Sequence, residues 1–66
     1  MNHSQITRNA TDKFKLYTIE QCRFAITDIH ETLQFNQHAD DMDNPYVVKL
    51  WAELDAARDR MRVLSK

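Results

Sequence analysis

The sequence predicts an all-α fold: an antiparallel helical hairpin, with helices over about residues 18–37 and 45–65, behind an extended N-terminal arm. Three observations carry this reading. Apolar residues recur at 3-4-3-4 spacing in two separate stretches, the period of a one-sided helical stripe. Each stretch opens on a helix-start signal. The two are joined by a short, polar, aspartate-rich connection, which brings neighbouring helices back antiparallel.

The elements follow in chain order. Residues 1–12 are polar and show no period, and Lys13-Phe14-Lys15-Leu16-Tyr17 alternates for two steps, as a short strand or extended lead-in would. Residues 1–17 are therefore expected to form the arm and 18–66 the hairpin domain. Thr18 and Gln21 make a capping box, with Tyr17 and Cys22 at the hydrophobic-staple positions. Ile19, Cys22, Ile26, Ile29 and Leu33 then form the first stripe. Gln37 to Asp43 is the polar connection. Asn44 is placed to cap the second helix, and Pro45 suits its first position because its missing amide would be an orphan there. Val47, Leu50, Leu54, Ala57, Met61 and Leu64 form the second stripe, and Lys49–Glu53, Asp55–Arg58 and Asp59–Arg62 are like-face ion pairs. The matching period of both stripes implies left-handed, coiled-coil-like packing.

Composition narrows the function. The chain has 66 residues, so its core is small and association with itself or a larger assembly is the expected staple. Glycine is absent, which removes glycine-rich phosphate loops and dinucleotide fingerprints. The single cysteine, Cys22, permits no internal disulfide and fits a reducing, cytoplasmic setting. No apolar run marks a signal peptide or a membrane span, so no membrane partner is expected. The net charge of −1 provides no bulk field toward nucleic acid.

No catalytic constellation, cofactor site or metal site is expected. Asp41-Met42-Asp43 opens like a calcium loop, but Tyr46 and Ala52 occupy the positions that need glycine and glutamate. His38 is read as part of a solvated turn, Cys22 on the stripe as a small hydrophobe, and His30 as a partly exposed flank residue. The interface candidates are aromatic and aliphatic. Phe24 and Phe35 fall opposite the first stripe, three turns apart, with Asp28 and Glu31 between them. Trp51 and Tyr46 flank the second stripe and widen it beyond one partner helix, as a bundle formed on association would need. Phe14, Leu16 and Tyr17 on the arm complete the set. A second reading places phosphate contacts at Arg58, Arg60, Arg62, Lys66, Lys13 and Lys15, at the basic open end of a dimeric nucleic-acid-binding regulator.

The runs KLYTIEQ, AITDIHETL and NPYVVKLWAELDA, within residues 13–57, resemble those of short helical-hairpin proteins encoded by tailed phages. The resemblance implies a non-enzymatic accessory role, as a minor virion component or a small binder of a host or phage protein. The leading expectation is a protein–protein interaction module, with a homo-oligomer or a larger protein assembly as partner.

Overall fold

The computed structural model describes residues 3–36 and 39–65. It holds three helices: α1 (His3–Phe14), α2 (Ile19–Phe35) and α3 (Pro45–Leu64). No strand occurs among the described residues. The two expected helices are α2 and α3; the Gln37 end of the first lies outside the described residues.

The helix starts use the expected chemistry. Thr18 Oγ1 accepts from the Gln21 amide at 3.1 Å, and Gln21 Oε1 accepts from the Thr18 amide at 2.9 Å. Two orphan donors are thereby satisfied reciprocally. Asn44 Oδ1 accepts from the Tyr46 amide at 3.0 Å, with Pro45 at the first helical position. Ahead of it, Asp41 Oδ1 accepts from the Asp43 amide at 3.1 Å, a side-chain turn that shapes the acidic connection. At the far end of α3, Ser65 Oγ donates to the Met61 carbonyl at 2.7 Å.

The N-terminal segment departs from expectation. It is a helix, not an extended arm, and Lys13–Tyr17 contains no strand. Ile6, Ala10 and Phe14 lie at i, i+4 and i+8 and are all buried, with Phe14 only 1% exposed. Such spacing keeps three residues on one helical stripe. The segment has little intrinsic preference to be helical, with Ile6, Thr7, Asn9 and Thr11 in its interior. Its helicity therefore rests on what the stripe packs against. The chain reverses directly after Phe14, where the Tyr17 amide donates to the Phe14 carbonyl at 3.0 Å. The Tyr17 ring meets the Phe14 ring edge-on, with centroids 4.6 Å apart at 66°. Phe14, expected at an intermolecular surface, is thus a core residue.

α3 is the shared element. It packs against both α1 and α2, whereas α1 and α2 barely meet each other. The result is wide and shallow, with Cα extents of 34 × 25 × 14 Å. The central cluster draws Phe14 from α1, Ile29 and Leu33 from α2, and Leu50, Leu54 and Ala57 from α3. From Ala56 round to Val47, about half of the α3 circumference at 100° per residue, the residues are buried or half-buried except Tyr46 and Lys49, which are exposed. That breadth is covered by two helices of the same chain. In place of an arm the chain has a third helix, with α1 and α2 both packed on α3.

Truncation at the core distinguishes this arrangement from the arm. Leu54→Ala should cost about 2–5 kcal/mol and Phe14→Ala about 3–5 kcal/mol, since both side chains are nearly sealed. Denaturant unfolding followed by circular dichroism measures both. An arm residue at position 14 would leave the midpoint unchanged.

Candidate functional site

The outer face of α2 is built by its own periodicity. The stripe Cys22, Ile29 and Leu33 turns inward and buries, so residues half a turn away must face solvent. Phe24 is 67% exposed and Phe35 82% exposed. Glu20, Asp28 and Glu31 lie on the same face and are exposed. Thr32 Oγ1 donates back to the Asp28 carbonyl at 2.9 Å and Thr27 Oγ1 to the Arg23 carbonyl at 3.1 Å, so both hydroxyls are turned onto the helix itself. Two large rings therefore stand in water, separated by carboxylates.

The other interface candidates divide. Leu16, in the turn between α1 and α2, is 82% exposed, and Tyr46 at the start of α3 is also exposed. Trp51 is only just exposed, and its indole Nε1 donates to the Ala39 carbonyl at 3.1 Å, so it closes the edge between α3 and the connection. Tyr17 is half-buried on Phe14. The structure thus leaves Phe24, Phe35, Leu16 and Tyr46 outward and takes Phe14 inward.

The residues of the phosphate-binding alternative are largely engaged within the chain. Arg58 Nη2 donates to His30 Nε2 at 3.3 Å rather than pairing with Asp55. Arg60 Nε donates to the Tyr17 carbonyl at 3.0 Å. Arg62 pairs with Asp59. Lys13 Nζ lies 2.7 Å from Glu53 Oε1. Lys15 is exposed, and Lys66 lies outside the described residues.

Glu53 keeps the expected i,i+4 pair with Lys49 and gains a closer link to Lys13 of α1, which the periodic pattern of the sequence does not suggest. It is 6% exposed, and its main partner comes from α1. Lys49 Nζ stands farther off, at 3.9 Å from Oε2. A buried carboxylate needs such matching, because an unpaired charge there is strongly unfavourable. The hydrogen bond to Glu53 holds the Lys13 ammonium above the ordinary lysine range, partly offset by its burial and reinforced by the charge of Glu53. The same ammonium sits 5.5 Å from the centroid of the Phe14 ring. The clue was a glutamate at 53 between Leu50, Leu54 and Ala57, well inside the buried arc.

Cys22 is fully buried, and desolvation pushes its thiol up, with Arg60 opposing the shift. Burial of that kind disfavours the thiolate and leaves a small packing residue. Among the described residues, no group of three or more His, Cys, Asp and Glu side chains is arranged to hold a metal ion. No described helix is long and apolar enough to cross a membrane.

No protein-family model, curated protein or solved structure matches this chain.

The Lys13–Glu53 pair links folding to alkaline pH. The stability it contributes is fully present below the unfolded lysine value of about 10.4 and is lost as pH rises through the higher folded value. Titrating unfolding midpoints upward from pH 9 should show a decline that Glu53→Gln lessens without abolishing, because the buried Cys22 thiol also ionises more readily on unfolding. An equal alkaline decline in both proteins would show that the pair contributes nothing to folding.

Proposed function

We propose that this protein is a non-enzymatic protein–protein interaction module whose contact surface is the outer face of α2. The observation that carries the reading is the pair Phe24 and Phe35, both solvent-exposed and aligned on one helical face. A single exposed aromatic is ordinary. Two on one face of a 17-residue helix form a repeated anchor of the type that dominates interface energy. Leu16 and Tyr46 extend the set of outward apolar groups. The small core supports the same reading, because folding reserve in a chain of this size is limited and a partner adds to it. The wider proposal, from resemblance, is an accessory role in a phage system, as a minor virion component or a binder of a host protein, with the free protein in the cytoplasm.

The nucleic-acid reading is not carried forward: Arg58, Arg60 and Arg62 each have a partner within the chain.

The test uses the double substitution Phe24→Ser with Phe35→Ser. Neither ring supports the core, so unfolding free energy should change by less than about 0.5 kcal/mol. Self-association, or retention of a protein from host lysate, should weaken by at least about 2 kcal/mol. Thermal melts paired with sedimentation and lysate capture read both quantities. A stable variant that associates as the wild type does would overturn the assignment.

A further inference from the structure

We infer that the acceptor for the α2 outer face is the cleft between α1 and α3 of a second copy, so that the chain associates head to tail. The inference rests on the α2 face being a contact surface, and it adds what that surface meets.

Charge decides against the simplest alternative. The face carries Phe24 and Phe35 with Glu20, Asp28 and Glu31, and the nearest cation on the helix, Arg23, points about a third of the way round it. Two such faces packed on each other would bring six carboxylates together without a cation. Like charges set directly against each other at an interface are strongly disfavoured. The partner must therefore be apolar and basic.

The chain itself carries that surface. Residues 18–44 hold six carboxylates against one arginine, so the excess positive charge lies on the segments that form α1 and α3. Between those helices is a cleft of about 440 Å³, lined by Ile6, Ala10, Tyr46, Lys13 and Lys49 among others. Its walls are apolar, and Lys13 and Lys49 are about half exposed above the sunken Glu53 carboxylate. One carboxylate between two ammonium groups leaves a net positive rim.

The spacing also agrees. On α2 each ring is one turn from a carboxylate: Phe24 from Asp28, and Phe35 from Glu31. On the cleft, Ala10 and Tyr46 each stand one turn from a lysine, Lys13 and Lys49. At 1.5 Å per residue the separations are about 6 Å on α2 and about 4.5 Å on each wall of the cleft. A ring seated among Ile6, Ala10 and Tyr46 therefore brings its neighbouring carboxylate to the lysines. Because donor and acceptor are different surfaces, the contact is heterologous, and each copy can take a further one.

Mixing two defective variants tests this. Phe24→Ser with Phe35→Ser removes the donor and leaves the cleft intact. Tyr46→Glu places a carboxylate at the mouth of the cleft, at an exposed position in the first turn of α3 where a negative charge suits the helix. In sedimentation, the wild type should grow with concentration beyond a dimer. Each variant alone should associate at least about 30-fold more weakly. Their equimolar mixture should regain a dimer that grows no further, since one intact donor meets one intact cleft. Added salt should weaken wild-type assembly, a readout that needs no variant. A wild type that stays monomeric overturns the inference, as does a mixture no more associated than its components. A monomer that captures a basic lysate protein through α2 also overturns it, while leaving the interaction-module reading standing.

Discussion

α3 has more surface to bury than one partner helix covers. Its inward arc runs about half-way round and contains apolar residues together with Glu53. α2 supplies Ile29 and Leu33 toward that arc, and α1 supplies Phe14 to the same cluster and Lys13 to Glu53. The Lys13–Glu53 contact matters because it is both a register pin and a condition: without a cation from α1, the buried carboxylate would be left with Lys49 at 3.9 Å. α1 in turn has little helical preference of its own and becomes a helix because α3 offers it somewhere to put Ile6, Ala10 and Phe14.

That dependence explains how the fold was legible. α2 and α3 announce themselves through long stripes and complete caps, and the Thr18–Gln21 box and the Asn44–Pro45 start were readable to the residue. α1 has a stripe of three, one of them alanine, spaced every fourth residue without the alternating three. Its threonines and Asn9 argue locally against a helix. The signal that would have revealed it was on its partner: a glutamate inside the apolar arc of α3 requires a cation from elsewhere, and Lys13 follows Ala10 by one turn. Tertiary pairing of this kind leaves no periodic trace in either segment. The exposed face of α2 was legible for the opposite reason. Phe24 and Phe35 are fixed outward by the same periodicity that fixes Ile29 and Leu33 inward. Phe14 was misplaced as a contact residue because its segment was taken as extended.

The exposed face of α2 and the core thus share one cause. With α1 and α2 on either side of α3 and scarcely touching, the molecule is shallow, and a large part of each outer helix faces outward. Carboxylates concentrate on α2 and the connection that follows it, and cations on the other two helices. A chain so divided presents one acidic, aromatic surface and one basic, apolar cleft, which is the arrangement a selective contact needs. Arg58 and Arg60 tie α3 to His30 of α2 and to the Tyr17 carbonyl, while Arg62 pairs with Asp59 on its own helix.

The central claim is that α1 belongs to the cooperative unit and does not trail from it. Native-state hydrogen exchange followed amide by amide tests this most directly, because it reads the opening free energy of each helix in the unmodified protein. The amides of Ala10 to Phe14 should exchange with protection close to that of Leu50 to Ala57 and collapse with it in rising denaturant. Protection confined to α2 and α3, with α1 exchanging as an open chain, would contradict the account.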